Sequence, residues 1–165
     1  MAGMNPKFVA ALTDERKSRS YHIPLWPRMW EWFRATYPRY EANWQRCKLE
    51  QGQLAKIPNV AGVYTLIVEP DIIAHERHHY LMYVGSSKDL KERFKDYLTK
   101  RGSNEDVTTL LERYSNYLWF VYFTVADESY KEKEENIITA TQPPLNVKGL
   151  TLKAEVLSKT PAFGD

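Results

Sequence analysis

An α+β fold, with a small three-stranded antiparallel sheet flanked by helices in the order β-β-α-α-β-α and an N-terminal helical extension, is what this sequence predicts. Three observations predict it. The runs GVYTLIV (62–68), YLMYVG (80–85) and YLWFVYFTV (117–125) are dense in β-branched and aromatic residues, the texture of strands. Charged stretches with apolar residues at helical spacing follow the second and third of these runs. The first third of the chain lacks strand texture and instead repeats aromatic residues at helical intervals.

The elements follow in order. Residues 1–24 are mixed in character, and DERKSRS reads as a solvated run. The next thirty residues hold four of the five tryptophans. Trp30, Phe33 and Tyr37 are spaced i, i+3, i+7, and Tyr40, Trp44 and Cys47 are spaced i, i+4, i+7. Both patterns fit amphipathic helices, with Pro27 near the first start and Pro38 between the two. The strands at 62–68 and 80–85 make a hairpin with a long polar connection, EPDIIAHERHH. KDLKERFKDYL is helical, with Leu90, Phe94, Tyr97 and Leu98 on one face and Ser86 or Ser87 available as N-cap. NEDVTTLLERY (104–114) is a second short helix, YLWFVYFTV a buried strand, and ESYKEKEENIITA (128–140) a third helix that QPPLN ends.

Bulk properties bound the function. A chain of 165 residues is long enough to bury one core. No apolar run approaches the roughly 20 residues of a membrane-spanning helix, and no secretory signal is evident, so a cytoplasmic (intracellular) setting without membrane attachment is the expectation. Cys47 is the lone cysteine, which excludes a disulfide framework and a cysteine metal cage and suits a buried apolar position. Net charge is only +2, but residues 1–58 hold ten Lys/Arg against five Asp/Glu, while residues 59–165 hold thirteen against sixteen. The basic N-terminal third, where Arg28, Arg34 and Arg46 interleave with aromatics, suggests a polyanion partner. The same segment also reads as a helical cap whose arginines form its wet face.

The stretch YVGSSKDLKERF (83–94) has the look of a phosphate-cradling loop, yet neither GxxxxGK[ST] nor GxGxxG is present. A wider constellation surrounds it. Gly62, Val63 and Tyr64 on one strand face Tyr83, Val84 and Gly85 on the next. Arg93 follows Gly85 by eight residues, and Tyr97 is four further along the same helix face. Glu134 lies on the last helix, and Asn146 follows it by twelve. These residues, in this order and spacing, resemble the GIY-YIG nuclease family over about residues 58–148, leaving 1–57 as an extension and 149–165 as a tail. One departure is the separation of nineteen between Tyr64 and Tyr83, where the family often has a short turn. The insert carries His75, His78 and His79, which could bind metal on a helix but read better as a substrate-facing hairpin tip.

The resemblance implies an endonuclease that hydrolyses DNA phosphodiester bonds with Mg²⁺ or Mn²⁺. It implies Tyr64, Tyr83, Arg93, Tyr97, Glu134 and Asn146 as site residues. Glu134 would hold the metal, with Glu135 its rival, and Arg93 would balance charge on the phosphate. A tyrosine base needs its pKa lowered from near 10, and Arg93 is the expected source of that charge; Tyr64 and Tyr83 compete for the role. Asn146 would brace the turn after the helix, and Lys88 and Lys91 are candidate backbone-phosphate contacts. The expected partner is double-stranded DNA, in a restriction-like or mobile-element setting, with a homodimer as one route to cutting both strands. The rivals are a non-catalytic nucleic-acid-binding module on the same fold, an RNA-directed nuclease, and a protein-interaction domain built on the Trp-rich helices.

Overall fold

The computed structural model describes residues 27–36, 43–70, 79–102 and 104–146. Helix α1 (Pro27–Thr36) comes first, with proline at its first position, where the missing N–H has no intrahelical partner to lose. Four strands follow, β1 (Gln45–Lys48), β2 (Gly62–Val68), β3 (Tyr80–Ser87) and β4 (Leu118–Thr124). Helices α2 (Leu90–Leu98) and α3 (Glu105–Arg113) lie between β3 and β4, and α4 (Tyr130–Thr141) closes the described chain. All neighbours in the sheet are antiparallel, in the order β1-β4-β2-β3.

The sheet thus has four strands where three were expected. The extra strand is β1, which replaces the helix predicted through Trp44 and Cys47; Tyr40, the first residue of that pattern, and Tyr37, the last of the preceding one, lie outside the described residues. Pairing with β4 decides the matter. Cys47 sits opposite Phe120 and, with Leu49, points into the core, while Trp44 meets Phe123 edge-on at 4.6 Å. The period is two, so the helical spacing of aromatics was overridden by a tertiary partner. Ile57, after a 3-10 turn at Gln51–Lys56, is also buried.

Each face of the sheet carries its own core. On one, Tyr64, Leu66, Val68, Tyr83, Phe120 and Tyr122 pack with Leu90, Phe94 and Tyr97 of α2 and with Val107, Leu110 and Leu111 of α3. On the other, Val63, Val84 and Phe123 pack with Tyr130 and Ile137 of α4, and Phe33 of α1 joins them. A register shift between Leu66 and Ile67 bulges β3 at Met82, so Tyr83 and Leu81 still face opposite ways. The expected N-cap of α2 also moves. β3 runs on through Ser87, and Asp89 is the residue that accepts from the Glu92 amide.

Burial of Cys47 behind β4 pushes its thiol up to about 11, against a smaller downward pull from Lys56. The folded protein should therefore hold this thiol protonated at pH 8. Reaction with a thiol-specific reagent is expected to be slow in buffer and fast in urea; equal rates would place Cys47 at the surface.

Candidate active site

Tyr64 and Gly85 are partners across β2 and β3, and the tyrosine ring lies over the glycine. A Cβ on Gly85 would meet the Tyr64 hydroxyl at 2.4 Å and the Tyr83 ring at 2.9 Å, so the position has no space for any other residue. Phe120 stacks beneath Tyr64 with ring centroids 5.0 Å apart. Held this way, Tyr64 reaches α2, where its hydroxyl and that of Tyr97 share a 2.7 Å hydrogen bond. Both rings are 1% exposed. Tyr83 stands beside them, with its ring centroid 6.3 Å from that of Tyr64, and is 9% exposed.

Electrostatics correct one expectation. Burial holds the Tyr64 phenol well above its ordinary pKa of 10, and the neighbouring Tyr97 and Tyr83 push the same way. Arg93 acts in the expected direction, lowering it, but is outweighed. Tyr64 is therefore a neutral hydroxyl at physiological pH, because taking a phenolate out of water costs more than one partly screened cation returns.

Arg93 comes from the middle of α2, one turn before Tyr97, with its guanidinium carbon 5.9 Å from the Tyr97 ring centre. Its ion pair with Asp96 is long, 3.9 Å, and its buried Nε finds no acceptor among the described residues. A buried donor left in that state is an unusual cost, of the kind functional sites carry.

Glu134 sits on the buried stripe of α4, four residues after Tyr130 and three before Ile137, both of which are in the core. Its carboxylate accepts a 2.5 Å hydrogen bond from Ser86 Oγ on β3. Burial raises its pKa, while Ser86 and the charges of Lys131 and Arg93 oppose the rise. Arg93 thus acts on both Tyr64 and Glu134, which belong to opposite faces of the sheet. β3, which carries Ser86 and Gly85, is an edge strand of the sheet. Glu135, the rival carboxylate, is exposed.

The chain after α4 turns back to that edge strand. Gln142 takes a left-handed conformation (φ 44°) as the helix ends, and two prolines follow. The Leu145 amide then donates to the Met82 carbonyl at 3.1 Å. The Asn146 side chain accepts from the Val84 N–H and donates to the Val84 carbonyl, both at 2.8 Å. Asn146 thus acts as one residue of an extra strand and ties the end of α4 to β3.

The other predicted contact residues fall in different places. Lys88 is exposed and Lys91 half-buried at the start of α2. Arg34 is exposed on α1, and the side chain of Arg28 lies outside the described residues. Arg46 does not join the cluster. On the far edge strand it pairs with Glu69 and lies 4.0 Å over the Trp119 ring. His75 and His78 are outside the described residues, among which no group of three or more His, Cys, Asp or Glu gathers. One half-buried carboxylate suits a hard, hydrated divalent cation that keeps most of its own waters, as Mg²⁺ and Mn²⁺ do, better than a zinc cage. Sequence reasoning missed Ser86, which reads locally as a helix cap; only the packing of α4 on β3 reveals its carboxylate partner.

Gly85→Ala is expected to cost about 1–3 kcal/mol in urea unfolding, because the new methyl displaces the Tyr64 ring. Tyr64→Phe removes the nearest clashing atom and should return part of that loss in the double variant. Fully additive costs would contradict the contact.

A family model for the UvrC-like GIY-YIG domain matches residues 61–147, a stretch that runs from just before Gly62 to just past Asn146. No curated protein matches the chain. Among solved structures, it is similar to the GIY-YIG N-terminal endonuclease domain of UvrC from Thermotoga maritima, a point mutant bound to its catalytic divalent cation. That likeness has 22% identity, covers 59% of this chain and 94% of the other, and has a TM-score of 0.42. With more than half its length following the family's pattern, the chain belongs to the UvrC-like GIY-YIG domain family, a family of nucleases that hydrolyse phosphodiester bonds.

Proposed function

We propose that this chain is a divalent-metal-dependent endonuclease acting on double-stranded DNA. The observation that carries the proposal is the gathering around β3 and α2 of a half-buried carboxylate, a cluster of tyrosines and an arginine that acts electrostatically on both and whose Nε has no partner among the described residues. Hydrolysis needs a polarised phosphate, a deprotonated water and help for the leaving oxygen. A Mg²⁺ or Mn²⁺ ion held by Glu134 would supply the Lewis acid.

The chain's own residues divide the remaining work. Arg93 donates to the non-bridging oxygens from the outer edge of its guanidinium, while its buried Nε has no hydrogen-bond partner among the described residues. Tyr64, neutral and bonded to Tyr97, holds its hydroxyl as a fixed donor or acceptor towards the attacking water. Tyr83 is the more accessible of the two motif tyrosines and takes the role of general base. Tyr97 orients Tyr64, and Asn146 keeps the Glu134-bearing helix against β3. Lys88 and Lys91, at the entry to α2, contact backbone phosphates of the DNA. The basic, Trp-rich segment before the domain, with Arg28 and Arg34, adds target contacts of the kind a restriction or mobile-element nuclease needs. One site per chain cuts one strand, so cutting both takes two copies or two successive nicks.

Supercoiled plasmid incubated with Mg²⁺ or Mn²⁺ should be nicked or linearised, and EDTA should stop the reaction. Glu134→Ala and Arg93→Ala are each expected to slow cleavage by about 10²-fold or more while retaining DNA affinity in a filter-binding assay. Tight binding without cleavage in any divalent cation would favour a binding module. Cleavage of RNA alone would redirect the substrate assignment.

A further inference from the structure

Ser86 has no part in the roles assigned above, yet its side chain is the one hydrogen-bond partner of the Glu134 carboxylate among the described residues. We propose that Ser86 is a positioning residue that fixes which oxygen of Glu134 is offered to the divalent cation; this rests on reading Glu134 as the residue that holds the metal.

Three observations carry it. Ser86 is paired with Val63 in the β2–β3 ladder, so its backbone is held and its side chain points to the α4 side, where the Val63 side chain is packed. Glu134 rises from α4 between Tyr130 and Ile137, whose burial keeps that stretch of helix against the sheet. Ser86 Oγ then donates to Oε2 at 2.5 Å, which leaves Oε1 without a hydrogen bond among the described residues. A glutamate side chain has three rotatable bonds, and without this donor its carboxylate would sample several orientations. Ordering them at the moment of metal binding costs free energy that the serine has already met.

The adjacent serine has a different task. The Ser87 hydroxyl donates to the Asp89 carbonyl at 2.7 Å and accepts from the Asp89 amide at 3.1 Å, shaping the turn into α2. Ser87→Ala is therefore a suitable control for hydroxyl loss next door.

The test is the Mn²⁺ concentration giving half of the maximal thermal stabilisation, measured for wild type, Ser86→Ala, Ser86→Thr, Ser87→Ala and Glu134→Ala. Ser86→Ala should raise that midpoint by about tenfold, while Ser86→Thr and Ser87→Ala stay near wild type. In cleavage assays Ser86→Ala should lose activity at low Mn²⁺ and recover much of it at saturating Mn²⁺, which a merely structural role would not produce. If the alanine variant unfolds, Ser86→Val against Ser86→Thr makes the same comparison between isosteric side chains. An unchanged midpoint for Ser86→Ala, beside a lost response in Glu134→Ala, would overturn the role of Ser86 alone. A wild type that does not respond to Mn²⁺, or a Glu134→Ala variant that responds as wild type does, would overturn the metal role of Glu134 and this inference with it.

Discussion

Tyr64 crosses from β2 over Gly85 of β3 to meet Tyr97 on α2, and the rest of the site is placed relative to that crossing. Two conditions make it possible. Gly85 has no side chain, and any Cβ there would overlap the tyrosine. Phe120 of β4 supports the ring from below, and Phe94 of α2 meets Phe120 edge-on at 5.2 Å. The strand pair, the third strand and the helix are thereby locked by aromatic contacts around one hydroxyl pair. Arg93 is one turn from Tyr97, so its position follows from the same lock.

α4, on the second face of the sheet, is tied to the edge strand β3. An edge strand exposes unpaired backbone groups, and this one is protected by Leu145 and Asn146, which satisfy Met82 and Val84. The protection also delivers Glu134, because the segment that covers the edge is the continuation of α4. Gln142 accepts a left-handed backbone to make the return, a cost of roughly 1 kcal/mol that glycine would avoid. Edge protection and carboxylate placement are one structural device.

Much of this was legible in the sequence, for reasons that particular residues illustrate. The strands at 62–68 and 117–125 and the helices around Phe94, Leu110 and Ile137 carry strong local patterns, and they formed nearly where the patterns lie. The Tyr64–Gly85 contact was legible because a glycine under a tyrosine leaves a mark in sequence, as Gly62–Tyr64 and Tyr83–Gly85 do. β1 was not legible. QRCK has no strand texture of its own and becomes a strand through its pairing with β4. The state of Tyr64 was not legible either, since the sequence places Arg93 nearby but says nothing of how fully the phenol is buried. Ser86 was hidden for a similar reason, its partner being forty-eight residues away on another element.

In the proposed mechanism the buried hydroxyl pair and the residues around it act as one catalytic unit. A double-mutant cycle on single-turnover DNA cleavage, with Tyr64→Phe, Tyr97→Phe and the double variant, measures that coupling. If the two hydroxyls act through each other, the double variant should be little slower than the slower single variant. Losses that multiply would show two independent roles, and a wild type that cleaves no DNA with any divalent cation would contradict the account as a whole.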